Sequence, residues 1–114
     1  MSDLVITVPL SGETTVLELR GELDLVTSNQ LRRNVRAALH EHDPTQLVLD
    51  LSALTFTDSM GLSVMVWAHH RMTERGHALY LVAPRPTVAE VLRVTGLDKQ
   101  LNIQSRLPGD HPVV

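Results

Sequence analysis

The chain of 114 residues contains no cysteine, and it has only one tryptophan, one tyrosine and one phenylalanine. The absence of cysteine excludes disulfide bonds, thiolate catalysis and cysteine-built metal sites. Hydrophobic residues nevertheless make up 43% of the sequence, whereas aromatic residues make up 3%. Leucine and valine must therefore build the hydrophobic core of a domain of ordinary size.

The sequence also lacks a basic excess and any long apolar run. Its formal net charge is -3, whereas nucleic-acid-binding domains are usually basic, so we expect no nucleic-acid partner. Polar residues interrupt the apolar stretches well short of a membrane span. Residues 1–4 show neither the basic segment nor the apolar run of a signal peptide. We therefore expect a cytoplasmic protein that does not bind membranes.

Alternating strand-like and helix-like segments predict a single domain over residues 1–114, with its core at about 4–104 and a flexible tail at 105–114. The predicted strands are rich in β-branched or alternating apolar residues and lie at 4–8, 14–20, 46–50, 78–82 and, left open, 101–104. The predicted helices begin near Thr27, Asp58 and Thr87.

Local signals predict where these elements start and stop. Thr27, followed by Gln30, has the spacing of a capping box at the start of the first helix. Gly76 and Gly96 are expected to terminate the second and third helices. Residues 51–57 are predicted to form a loop whose apolar side chains turn inward, namely Leu54 and Phe56.

The element order ββαβαβα predicts an α/β fold with a mixed, mostly parallel sheet of four to five strands, an N-terminal β-hairpin and packed helices. Loops that leave the carboxyl ends of parallel strands share one rim of the sheet. Asp24 follows the second predicted strand and Ser59 follows the third. We therefore expect both side chains at the same rim.

The predicted helix over residues 60–73 carries two apolar stripes, although a surface helix needs only one. The stripe expected to face the sheet consists of Leu62, Met65, Val66, His69 and Met72. The roughly opposite stripe consists of Met60, Val64, Trp67 and Arg71. This second stripe either packs against another helix or the C-terminal tail, or forms a surface for a partner protein, to which methionine and tryptophan are well suited.

Enzymatic and metal chemistry are both poorly supported by the motifs present. The nucleophile-elbow pattern requires glycine two residues before the serine, but this chain has Thr57 two residues before Ser59. The six histidines lack the i, i+4 spacing of a helical zinc pair, and no Walker-type phosphate loop is present. Serine before a helix is most simply an N-cap. We expect no catalytic residue, no cofactor and no metal.

Two motifs favour a functional role for Ser59 over a role as a helix cap alone. The first is Gly21-Glu22-Leu23-Asp24, followed by Thr27 and a helix. The second runs from Asp50-Leu51-Ser52 through Phe56 to Asp58-Ser59-x-Gly61-Leu62. In this order, and in a chain of this size, they resemble the STAS-domain family, specifically the bacterial anti-sigma factor antagonists. The resemblance extends over residues 4–104 in element order.

The resemblance implies a phosphorylation switch at Ser59. In this family the kinase is an anti-sigma factor that binds ATP. The unphosphorylated antagonist binds this kinase. Phosphorylation ends this binding and so controls sigma-factor-dependent transcription. A serine phosphatase of the PP2C type removes the phosphate and restores the binding. Asp24 and Asp58 match the family's aspartates beside the phosphoacceptor. Two departures are Met60, where many relatives have Ser or Thr, and a tail at 105–114 without the periodicity of a further helix.

We therefore expect a protein that acts by binding other proteins and is a monomer when unbound. The expected partner-binding residues are Asp24, Asp58, Ser59, Met60, Val64 and Trp67. The alternative is a STAS module that does not cycle phosphate and serves as a scaffold or adaptor in a stress-signalling or lipid-transport complex.

Overall fold

A computed structural model describes residues 5–7 and 13–105 of the chain. The strands of the described part are β1 (Val5–Thr7), β2 (Thr14–Leu23), β3 (Gln46–Thr57), β4 (Ala78–Val82) and β5 (Asn102–Gln104). The helices are α1 (Leu25–His42), α2 (Ser59–Glu74) and α3 (Pro86–Val94), with a short 3₁₀ helix at Leu97–Lys99. The outer residues of the first predicted strand and the predicted tail beyond Ser105 lie outside the described residues.

The sheet follows chain order, β1-β2-β3-β4-β5. Strand β1 pairs antiparallel with β2, and β2 through β5 are parallel neighbours. Helices connect the parallel strands, as crossover connections require. The predicted α/β fold, with its hairpin and its short final strand, is confirmed.

Leucine supplies most of the core, as the scarcity of aromatic residues predicts. Alternation along the strands places one set of leucines under the helices, and all are fully buried: Leu17, Leu19, Leu47, Leu49, Leu79 and Leu81. The opposite face of the sheet carries a smaller buried cluster, made of Val16, Val48 and Val82. Since burying one such side chain stabilises the fold by about 1.5–3 kcal/mol, the helix-covered face holds most of the stability.

Strand β3 is longer than the sequence predicted. Residues 51–57, which we predicted to be a loop, continue the strand beside β2 as far as the pairing of Leu23 with Thr57. The β2–β3 pairing shifts register twice, between Glu18 and Arg20 and between Gly21 and Glu22 of β2. Each shift places one extra residue in β3 and so breaks the alternation that would have identified this extension. Leu54 is buried as predicted, but the prediction for Phe56 is wrong because its side chain is exposed.

Helix α1 begins two residues before the predicted start. Asp24 is the N-cap, and its Oδ1 accepts a hydrogen bond of 3.0 Å from the backbone N–H of Thr27. The hydroxyl oxygen of Thr27 in turn accepts a hydrogen bond of 2.8 Å from the backbone N–H of Asp24. The capping box therefore joins Asp24 to Thr27, and the predicted pairing of Thr27 with Gln30 is wrong.

The predicted helix ends are confirmed. Gly76 follows α2 with a φ of 76°, and it donates to the carbonyl of Thr73 while His77 donates to that of Met72. These two bonds form a Schellman motif, in which glycine takes the left-handed conformation without strain. Gly96 follows α3 in the same way, with a φ of 78°.

Candidate functional site

Strands β2 and β3 end side by side, and this alignment creates the site. Leu23 and Thr57 are paired as the last residues of the two strands. The backbone N–H of Asp58 donates a hydrogen bond of 3.0 Å to the carbonyl of Leu23, which ties the start of α2 to the end of β2. Asp24 and Asp58 are the residues that follow these strands, so they lie at one rim, as predicted.

Asp58, rather than Ser59, caps helix α2. The Asp58 Oδ1 accepts hydrogen bonds from the backbone N–H groups of Met60, at 2.9 Å, and Gly61, at 3.0 Å. Ser59 is the first residue of the helix and is exposed. The interpretation of Ser59 as merely an N-cap is therefore wrong, because the aspartate before it satisfies the free N–H groups.

Gly61 permits the close approach of α2 to the strand ends. A Cβ at this position would overlap the hydroxyl oxygen of Thr57 and would lie 2.6 Å from Cγ of Leu23. Both Thr57 and Leu23 are buried. The glycine in the motif thus has a packing reason, because it sets how near the start of α2, which includes Ser59, comes to the ends of β2 and β3.

Two carboxylates lie at the rim that carries the exposed Ser59. The carboxylates of Asp24 and Asp58 each cap a helix, and both are only partly buried. The N-termini of α1 and α2 therefore converge at this rim, each with its dipole partly offset by an aspartate. A hydroxyl in this position is accessible to another protein, and its surroundings favour an outward orientation of any added anion.

Exposed apolar side chains lie at the same rim. In the described part of the chain, few large hydrophobic side chains expose more than a third of their surface. Four of these side chains belong to Leu25 (62%), Val26 (75%), Phe56 (48%) and Met60 (42%). Leu25 and Val26 form the first turn of α1, and Met60 follows Ser59 in α2. We call these four residues the apolar rim. Exposed apolar groups collected around a polar centre are typical of protein-binding surfaces.

Sequence reasoning missed three residues of the apolar rim. Leu25 and Val26 precede the predicted start of α1 near Thr27, and Phe56 is predicted to turn inward from a loop. The available signal for Leu25 and Val26 is Asp24, since an N-cap aspartate makes the next two residues part of the first turn of the helix.

The second stripe of α2 is largely covered. Val64 is only 1% exposed and belongs to the main core, so the prediction that it contacts a partner is wrong. Trp67 is half-buried and packs against the same core. Helix α1 covers this side of α2, and guanidinium groups of Arg32 and Arg36 lie over the Trp67 ring. Packing against another helix, the alternative interpretation of this stripe, therefore accounts for Val64.

His69 lies on α2, and its Nδ1 atom is buried without a hydrogen-bond partner among the described residues. No group of three potential metal ligands occurs in residues 5–7 and 13–105. Within the same ranges, no helix has the length and apolar character needed to span a membrane.

Comparisons with known proteins find relatives among the anti-sigma factor antagonists. An anti-sigma F factor antagonist of Lysinibacillus sphaericus is 31% identical over 88 residues, which cover 77% of this chain and 75% of that protein. The crystal structure of an anti-sigma factor antagonist from Mycobacterium paratuberculosis has a TM-score of 0.83 at 28% identity, and it covers 92% of this chain and 88% of that one.

The same fold is found in the Bacillus cell fate determinant SpoIIAA in its phosphorylated form, with a TM-score of 0.68, 24% identity and coverage of 89% of this chain and 90% of that one. The family model of the STAS domain matches residues 5–108. This match spans nearly the whole chain, and it includes both strand ends, both capping aspartates and Ser59. The protein therefore belongs to the STAS-domain family.

Proposed function

We propose that this protein is a cytoplasmic anti-sigma factor antagonist that binds an anti-sigma factor serine kinase and is released when Ser59 is phosphorylated. The observation that carries the proposal is the exposed Ser59 on the first turn of α2, beside the apolar rim. The named relatives support the class of partner. The free protein is expected to be a monomer whose apolar rim is covered only in the complex.

The chemistry requires an accessible hydroxyl and nothing else from this chain. The partner binds ATP and transfers its γ-phosphoryl group to the Ser59 oxygen, which loses its proton while ADP leaves. A serine phosphatase of the PP2C type then hydrolyses the phosphoester and releases inorganic phosphate. Because Asp58 caps α2, neither step removes a hydrogen bond that holds the helix.

The fold should tolerate the phosphate. A phosphoserine carries about -1.5 to -2 charges at neutral pH. At the first turn of a helix the dipole favours this charge, while the neighbouring carboxylates of Asp24 and Asp58 repel it. The two effects oppose each other, so the charge is directed outward and global stability changes little. SpoIIAA, which shares the fold, has been solved in its phosphorylated form.

The complex, by contrast, should not tolerate the phosphate. A partner that covers Met60 and Phe56 must also cover the adjacent Ser59, and it would have to strip water from a dianion. A penalty of only about 3 kcal/mol weakens binding more than a hundredfold. Folding and binding are thus affected separately by one modification, which is what a reversible switch needs.

The test is to mix the protein with the anti-sigma kinases of its own genome and radiolabelled ATP. We expect label on the wild type, none on Ser59→Ala, and undiminished label on Ser63→Ala, an exposed serine one turn further along α2. We also expect Ser59→Asp to bind the unlabelled kinase more than a hundredfold more weakly in calorimetry. Label that persists in Ser59→Ala, or wild-type affinity of Ser59→Asp, would refute the switch.

A STAS scaffold or adaptor that does not cycle phosphate gives a different result. Such a protein would bind its partners through the same apolar rim, but it would take up no label from any kinase of the host. Mass spectrometry of the protein purified from its host separates the two functions, because only the antagonist is expected to carry phosphate on Ser59.

A further inference from the structure

A second unusual surface lies along α1 and α2, away from the rim. Three guanidinium carbons lie close to the ring centroid of Trp67, at 4.9 Å for Arg32, 5.5 Å for Arg36 and 5.9 Å for Arg71. Two of the arginines come from α1 and the third from α2. We call these four residues the arginine cluster. Trp67 is half-buried, whereas Arg36 and Arg71 are exposed.

No described carboxylate forms an ion pair with the arginine cluster. In residues 5–7 and 13–105, the ion pairs join Arg75 to Asp43 and Arg93 to Glu90, and none involves the cluster. Arg32 and Arg36 lie four residues apart on α1, a spacing at which like charges repel each other. The face of the Trp67 ring offsets part of this repulsion. Three cations thus gather on the surface of a protein whose net charge is -3.

We propose that the arginine cluster is a docking surface for an acidic segment of a partner protein. Guanidinium groups bind carboxylates through two parallel hydrogen bonds, and stacking on the indole holds them ready for such contacts. Tryptophan and arginine are also the residues most enriched at the energetic centres of protein interfaces. A short acidic segment can contact the arginine cluster alone. Nucleic acid carries charge along an extended backbone, which would also meet the rest of a chain whose net charge is -3.

This surface goes beyond the proposed switch because it is remote from Ser59. Trp67 and Arg71 are eight and twelve residues further along α2 than Ser59, about 12 Å and 18 Å at the rise of an α-helix. Both separations exceed the screening length of about 8 Å at physiological salt, so a phosphate on Ser59 should affect the arginine cluster only weakly. The acidic segment is therefore expected to bind the phosphorylated and the unphosphorylated protein equally well.

The single tryptophan makes the proposal directly testable, because Trp67 is the only one in the chain. The probe is a synthetic decapeptide of alternating glutamate and aspartate, titrated at low salt while Trp67 emission and heat are recorded. We expect saturable binding that weakens at least threefold in Arg71→Gln and at least tenfold in the variant that combines Arg32→Gln, Arg36→Gln and Arg71→Gln. Raising the salt should weaken binding as well.

Arg33→Gln is the matched control, since Arg33 is an exposed arginine of α1 outside the cluster and its loss removes one charge, as in Arg71→Gln. Equal affinities of these two variants, or no binding of the peptide to the wild type, would overturn the proposal. So would a single-stranded DNA oligonucleotide that binds more tightly than the peptide. Ser59→Asp should bind the peptide like the wild type, so this surface and the switch succeed or fail separately. Circular dichroism verifies that each variant is folded.

Discussion

Replacing Gly61 with alanine tests whether the close approach of α2 to the strand ends fixes the site. The added methyl group would overlap the Thr57 hydroxyl and would lie 2.6 Å and 2.7 Å from two carbons of Leu23. Carbon atoms normally meet at about 3.5–4.0 Å. Leu23 is fully buried and Thr57 nearly so, so neither side chain can move into solvent. The methyl group therefore displaces the first turn of α2 or strains the core.

The magnitude follows from two opposing effects. Alanine is favoured over glycine in a helix by about 1 kcal/mol. Overpacking a tight core costs about 1–3 kcal/mol and occasionally more, and three overlapping atoms place Gly61→Ala at the upper end. We expect a net loss of about 2 kcal/mol in the free energy of unfolding, from urea denaturation. At about 4 °C or more per kcal/mol, the melting temperature should fall by about 8 °C.

Ser63→Ala is the control, because Ser63 is exposed on the same helix. Its replacement removes an exposed 3.0 Å hydrogen bond from the Ser63 hydroxyl to the Ser59 carbonyl and improves helix propensity. Because the two effects oppose each other, its stability should stay close to that of the wild type. If Gly61→Ala is as stable as Ser63→Ala, the ends of β2 and β3 can shift enough to accommodate the methyl group. In that case the glycine would not set the position of Ser59, and the packing argument would be refuted.

Three further predictions concern the rim and the second stripe. Asp58→Ala should lower the free energy of unfolding by about 1 kcal/mol in urea, since it removes the cap of α2. Trp67→Ala should cost about 2–3 kcal/mol, less than a fully buried tryptophan, and a melting temperature like that of the wild type would contradict its packing on the core. Val26→Ser should weaken the kinase complex about tenfold in calorimetry with unchanged melting, whereas Val94→Ser, equally exposed but on α3, should not.

The sequence predicts the fold well where the spacing of apolar residues matches the face that the folded protein buries. The alternating leucines of β2 and the apolar runs of β3 and β4 each bury a face against helices, so tertiary packing reinforces the local pattern. Gly76 and Gly96 terminate helices because each adopts a positive φ that other residues reach only with strain. These features depend on a few neighbouring residues, which is why a single sequence reveals them.

The predictions fail where a distant part of the chain decides the outcome. Val64 stands on an outward-looking stripe of α2, and only the placement of α1 shows that this stripe is buried. The extension of β3 to Thr57 depends on irregular pairing with β2, which no pattern within β3 records. Phe56 is exposed for the same reason, since the irregular pairing changes which face its side chain occupies.

At the rim, the residues that hold the fold are distinct from Ser59, the residue that we propose is phosphorylated. Asp24 and Asp58 satisfy the N-termini of two helices, and Gly61 admits α2 against the strand ends. Because the capping is complete without the Ser59 hydroxyl, modification of that oxygen removes no structural hydrogen bond. If Ser59 itself were the cap, phosphorylation would alter stability and binding together. With the cap on Asp58 instead of Ser59, the proposed phosphorylation would change binding while the fold persists.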